Sequence, residues 1–273
     1  MCDRIMFGRL VVRMLSMVGQ TPCMIGWSPM GGGARLLSRI FGERMTRALD
    51  MLAWDWTVPG WLLLAIKEVI RNLHVNRTAD FDAWLDARWE ALFRDAVFRF
   101  GNGLEVTQPG WGFMKSGCYL TILINSLAQI FVHELACIKF SLPKLPYVVL
   151  GDDKTIVDFE EFHIYEAFIN SLGLRLKPSE PSRLLKFAGF VFEGDLSWPE
   201  YVGKHIYQIT HAAGDLLLER LEAYHFLYVN HDLFSFFSRE LGKRDPERVR
   251  PYGELLGIYH GTHSRATCPG LVR

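Results

Sequence analysis

Apolar and polar positions along the chain shift between helical and strand-like patterns, and the shifts mark out the elements. Helices are expected over residues 4–17, 61–72 and 82–100, the last rich in aromatic side chains. The apolar positions from 118 to 140 suit a long buried helix, and 159–172 reads as another, ended by Gly173. Strands are expected over 47–54, at 104–107, near 174–177 and over 185–193. Between 146 and 158 an apolar β-branched run, a Gly151-Asp152-Asp153 tip and a second run read as a hairpin carrying two carboxylates. Turn signals fall at 19–22, 28–33, 108–110 and 115–117, and beyond Pro199 the pattern is mainly helical. No internal repeat or low-complexity linker interrupts the chain.

The 273 residues suffice for one large domain or two to three subdomains around a shared core, and 49% hydrophobic content excludes a disordered chain. Lys plus Arg and Asp plus Glu both number 30, unlike a simple nucleic-acid coat, which is strongly basic. Five scattered cysteines without a C-x-x-C pair point to reduced thiols and an intracellular compartment. His260, His263 and Cys268 invite a zinc reading, but they lack a fourth ligand and a solvated tail is simpler. No run of about twenty apolar residues is found, so no transmembrane segment is expected, and the N-terminus lacks a signal-peptide pattern. Gly31–Gly33 precede Arg35, Arg39, Arg44 and Arg47, which fall at helical spacing. Without a following G-K-[ST] the glycines are not a Walker A loop, and a plain turn before a solvated helix is favoured over a phosphate cradle.

Chemistry concentrates at acidic strand ends. Two-metal phosphoryl transfer needs carboxylates that hold a pair of Mg²⁺ ions, and two or three aspartates from different strands suffice. Asp50 at one strand end and Asp152 with Asp153 at the hairpin tip supply such a set. A G-D-D tripeptide alone is more often a solvated turn. Here it follows, in order, Asp50-x-x-x-x-Asp55 and Ser116-Gly117-x-x-x-Thr121-x-x-x-Asn125. Gly117 lets a loop approach a substrate backbone, and Thr121 and Asn125 share one helix face. An asparagine, with both donors and acceptors, can discriminate a ribose 2′-OH; taken singly, the pair is better read as buried polar residues satisfying the backbone, but not in this company.

This ordered set resembles motifs A, B and C of the palm of positive-strand viral RNA polymerases. Residues 110–129 (GWGFMKSGCYLTILINSLAQ) and 24–33 (MIGWSPMGGG) are especially similar to the sobemovirus-like group, and 186–192 (KFAGFVF) resembles the primer-gripping motif E. The resemblance implies an α+β right-hand polymerase: partial fingers in 1–45, an antiparallel-sheet palm on helices in 46–202 with a fingers insertion near 73–110, and a helical thumb in 203–273. It implies an RNA-directed RNA polymerase, with Asp50 and Asp152 holding Mg²⁺ (Mn²⁺ as the alternative) and Asp153 in support. Asp55 with Asn125, assisted by Thr121, would read the ribose 2′-OH, and Ser116 and Gly117 would position template and incoming base. Lys177 stands where motif D supplies a general acid for pyrophosphate, with Arg175, Arg183 and Lys186 as nearby competitors. Partners would be an RNA template, a primer or nascent strand and ribonucleoside triphosphates, in the host cytoplasm at membrane-associated replication complexes.

Two departures accompany the resemblance. The basic motif F falls just upstream of residue 1, with only Arg4 and Arg9 available here, so an upstream viral polypeptide is an expected partner. Lys154 follows the G-D-D where a small or β-branched residue is more usual, and a cation there could neutralise a nearby phosphate or point to solvent. Two other readings stay open at this level: a non-catalytic RNA- or partner-binding protein that keeps the palm as a scaffold, and a reverse transcriptase, against which Asn125 and the G-D-D argue.

Overall fold

The computed structural model describes residues 2–262. In chain order the elements begin with α1 (Cys2–Leu15), α2 (Gly33–Phe41), β1 (Thr46–Leu49), α3 (Trp54–Thr57), α4 (Gly60–Leu73) and α5 (Ala79–Phe93). Then follow β2 (Val97–Arg99), β3 (Glu105–Thr107), α6 (Thr121–Phe140), β4 (Tyr147–Leu150), β5 (Asp153–Val157) and α7 (Phe162–Ser171). The remainder is β6 (Leu185–Phe187), β7 (Phe190–Glu193), β8 (Leu196–Pro199), α8 (Val202–Thr210), α9 (Gly214–Leu227), α10 (Phe234–Gly242), a 3₁₀ turn (Pro246–Arg248) and α11 (Tyr252–His260). The fold is α+β, and the chain forms two compact units: one of Met1–Gly26 with Arg47–Pro181, the other of Trp27–Thr46 with Ser182–Arg273.

In the first unit α6 is the central post. Leu123, Ile124, Ala128, Val132 and Ala136 are buried along it, against α4, α7 and β4. By length and composition α6 could cross a membrane, contrary to the expectation of no such segment. It is nonetheless 56% buried within the unit and turns Asn125, Ser126, Gln129 and His133 inward, which is how a core helix is built. The sheet runs β1-β5-β4, with β4 and β5 antiparallel and Leu150 opposite Asp153. That register leaves Gly151 and Asp152 as a two-residue loop, and a positive φ at Gly151 alone (66°) matches a type II′ turn, which demands glycine at its first central position. Arg47, at the start of β1, binds Asp158 just past the end of β5, donates to Ser179 O at 2.6 Å and stacks over Phe162. The two strands therefore run in opposite directions, and Asp50 lies toward the Asp153 end of β5.

Several elements differ from the sequence expectation. The strand expected over 47–54 stops at Leu49, because Ala53 adopts a positive φ (50°) that opens α3. The strand near 174–177 reduces to an antiparallel Met51–Leu176 bridge. The helix over 82–100 ends at Phe93, and Val97–Arg99 pairs with Glu105–Thr107 as a hairpin. The 185–193 strand is two strands joined at Ala188–Gly189, both at positive φ.

In the second unit β6, β7 and β8 form an antiparallel sheet against which α2 packs, with Trp27 on the rings of Phe187 and Phe192. Ile209, Leu221, Tyr224, Tyr228, Phe237 and Leu241 form the core of its helical part. The triple glycine is committed to backbone: Gly31 and Gly32 donate to Ile258 O and Tyr259 O of α11, and Gly33 to Met30 O. A turn, and not a phosphate cradle, is what these amides make. Nor do the four arginines share one face: α2 ends at Phe41, so only Arg35 and Arg39 lie on it. Of the zinc reading, His260 ends α11, while His263 and Cys268 lie outside the described residues.

Candidate active site

Asp50, Asp152 and Asp153 are all exposed, one beyond the end of β1 and two at the β4–β5 tip. Adjacent strands of one sheet thus present three hard oxygen donors at one end, the donor class that Mg²⁺ prefers. The carboxylates do not form a closed set in this conformation; among the described residues no group of three or more His, Cys, Asp or Glu converges on a single point. Asp50 is engaged by Lys177, whose ammonium pairs with Oδ2 and whose N–H donates to the Asp50 carbonyl at 2.9 Å. The 174–177 segment delivers that lysine. Of its competitors, Lys186 pairs with Glu200 in the second unit, and the Arg175 carbonyl accepts from Leu52 N–H.

The second group gathers at the start of α6. Ser116 Oγ donates to Asp55 Oδ2 at 2.5 Å, and Met114 N–H donates to the Asp55 carbonyl. Thr121 Oγ1 donates to Lys115 O at 2.5 Å, closing the 115–121 loop, in which Gly117 is exposed at a φ of 81°. Gln108 fixes the other side of that loop, its amide donating to the carbonyls of Phe93, Gly110 and Gly112. Asn125 Oδ1 accepts from Trp54 Nε1 at 2.9 Å. A cavity of about 250 Å³ opens beside Asp55 and Ser116, walled by Trp56, Phe98, Phe113 and Lys115. Burial pushes the Lys115 ammonium below its ordinary range.

Sequence reasoning missed the residues that hold these groups. Ser126 is fully buried and accepts the Gly151 N–H at 2.8 Å, so α6 grips the carboxylate hairpin one residue after Asn125 grips the Asp55 segment. Lys154, next after the aspartates, points inward, neither to a phosphate nor to solvent: it is 1% exposed and donates to Tyr165 OH at 2.7 Å. Tyr165 OH also meets His133 Nδ1 at 3.3 Å, and His133 Nε2 meets Cys137 Sγ at 3.5 Å. Burial lowers the Lys154 pKa to about 7 and, with the Lys154 charge nearby, that of His133 to about 3; burial raises Tyr165. An i, i+4 pair on α6 (His133, Cys137) was the available signal for this network, but nothing local ties it to Lys154.

A sequence model described as viral RNA-dependent RNA polymerase matches residues 1–179. Protein P1-P2 of Potato leafroll virus is 25% identical over 170 residues, 62% of this chain and 15% of that protein. Protein P2-P3 of Poinsettia latent virus is 26% identical over 163 residues, 59% of this chain and 14% of that protein. The chain thus spans about 15% of the length of the curated relatives it matches. The crystal structure of the RNA-dependent RNA polymerase of a human picorbirnavirus superposes with a TM-score of 0.72 at 14% identity, over 90% of this chain and 50% of that one. That likeness establishes the fold, and the match over 1–179 establishes the lineage: the chain belongs to the viral RNA-dependent RNA polymerase family.

Proposed function

We propose that this chain is the catalytic core of an RNA-directed RNA polymerase, joining ribonucleoside monophosphates from their triphosphates to an RNA 3′ end under the direction of a template. The observation that carries the reading is the β1-β5-β4 sheet, with Asp50 and the Asp152-Asp153 turn at one end. Mg²⁺, or Mn²⁺ in its place, held by Asp50 and Asp152 with Asp153 in support, would supply the charge that lowers the pKa of the attacking 3′-OH and balances the leaving pyrophosphate. Asp55 accepts a bond from the ribose, Asn125 contacts the same hydroxyl, and Thr121 holds the loop that frames them. Ser116 and Gly117 line the path of template and incoming base. Lys177, released from Asp50, gives its proton to the departing pyrophosphate.

The same reading assigns the carboxylate-bearing sheet to a palm, residues 203–273 to a thumb and 1–45 to part of the fingers. Substrates are an RNA template with a primer or nascent strand and ribonucleoside triphosphates, and the setting is viral genome replication in the host cytoplasm at membrane-associated complexes. The small share of the relatives' length that the chain represents supports a further viral polypeptide segment supplying the basic residues that meet the triphosphate.

The test is ribonucleotide incorporation on a primed RNA template with Mg²⁺ or Mn²⁺, comparing the chain with Asp152→Asn. Template-dependent extension by the first, reduced at least a hundredfold in the second, is expected. Equal extension by both refutes the metal assignment. Retained RNA binding without extension, even with the upstream basic segment restored, would instead favour the scaffold reading.

A further inference from the structure

Asn125 carries one acceptor and two donors, and which of them faces a ribose decides what it can recognise. The residue is 5% exposed, and its Oδ1 accepts from Trp54 Nε1, on a side chain 3% exposed. An indole N–H has no lone pair and can only donate. The amide must therefore turn its oxygen to Trp54 and its NH₂ the other way, so the usual ambiguity of amide orientation does not arise.

Asp55 follows Trp54 directly in α3, and its ionised carboxylate can only accept, as it does from Ser116 Oγ. A ribose 2′-OH both donates and accepts. Donating to Asp55, it needs a donor for its lone pair, and the NH₂ of Asn125 is the group that the ribose reading brings to it. An Asn125 oxygen in that place would meet the hydroxyl's lone pairs and repel them.

We propose that Trp54 is a positioning residue for ribose selection: its indole N–H locks the Asn125 amide so that the NH₂ group faces the 2′-hydroxyl of the incoming ribonucleotide. The proposal rests on Asp55 and Asn125 being the ribose readers. One bond then sets both halves of the reader, because Trp54 fixes the Asn125 amide from one side while its own backbone carries Asp55. Replacing the indole by a phenyl ring removes the N–H together with part of the packed volume, and frees the amide to populate both orientations.

The experiment is calorimetric titration of the full chain with ATP and 2′-dATP, each with Mg²⁺, for the wild type, Trp54→Phe, Asn125→Ala and Asn125→Asp. Near-UV circular dichroism and thermal midpoints report whether each variant keeps the fold. The wild type is expected to prefer ATP, and Trp54→Phe to lose about tenfold of that preference, the worth of one well-aligned hydrogen bond. Asn125→Asp keeps an acceptor for Trp54 but has no NH₂, so it loses the preference with the fold intact. That arm decides the donor assignment if Trp54→Phe fails to fold. A preference lost in Asn125→Ala but kept in Trp54→Phe overturns the role of Trp54 alone. A preference kept in both Asn125 variants, or absent from the wild type, overturns the ribose reading and this proposal with it. Preference is therefore compared only between variants whose circular dichroism and thermal midpoint match the wild type, since an unfolded chain discriminates neither nucleotide.

Discussion

Acidification should destabilise the first unit through His133, and by an amount the structure allows to be worked out. His133 is 6% exposed, between Tyr165 OH and Cys137 Sγ, with the Tyr147 ring centroid 3.9 Å away. Burial, reinforced by the Lys154 charge, lowers its pKa from 6.5 to about 3. Because the folded pKa is the lower one, the unfolded chain binds the extra proton. Stability is therefore fully present above 6.5 and drains away as pH falls toward about 3. At pH 5 the unfolded imidazole is almost wholly protonated and the folded one almost wholly neutral. The loss from pH 7 is then about 1.5 pK units, or about 2 kcal/mol. The assay is urea unfolding followed by tryptophan fluorescence at pH 7 and pH 5, on the wild type and on His133→Gln, which cannot titrate. Carboxylates contribute to both proteins, so the difference between the two pH responses isolates His133. The wild type should lose about 2 kcal/mol more than the variant between the two pH values. Equal losses, within about 0.5 kcal/mol, would refute the reasoning and place His133 in a hydrated site.

Two further substitutions probe the elements that carry the site. Ser126→Ala removes the acceptor of the Gly151 N–H and leaves a buried donor unpaired, so it should cost about 1–3 kcal/mol in urea unfolding and speed amide hydrogen exchange at Gly151. Unchanged exchange would show that the hairpin is not held through that bond. Gly33→Ala would drive a methyl group into the Ser28 carbonyl oxygen and toward Trp27 Nε1, so a loss of about 1–3 kcal/mol in thermal unfolding of the second unit is expected. A loss under about 0.5 kcal/mol would mean that the Ser28 turn yields freely.

What the sequence disclosed follows from the range of the forces involved. The Gly151-Asp152-Asp153 hairpin was legible because a II′ turn needs its glycine locally, and α6 because its apolar face repeats along one continuous segment. The break at Phe93 was not, since no glycine or proline marks it and the β2–β3 pairing that ends the helix forms with residues further on. Lys154 stood out in the sequence, but its direction depends on Tyr165, which a separate helix brings to it. Likewise Asn125 was singled out for its chemistry, while the Trp54 indole that orients it lies on a different element.

The glycine turn at Gly31 and Gly32 bears on the order in which the chain can fold as it is made. Its two amides satisfy carbonyls at the end of α11, and α2 rests on strands built from residues 190–199. Residues 27–46 therefore leave the ribosome long before the surfaces they bury against. Until α11 emerges, the Trp27 ring, the apolar face of α2 and two unpaired amides must wait in solvent. Contacts between distant segments form slowly, and exposed apolar surface in the interval favours association between chains. Slowing translation should thus prolong a protease-sensitive state of the amino-terminal segment, one that closes only when residues 252–261 have been synthesised.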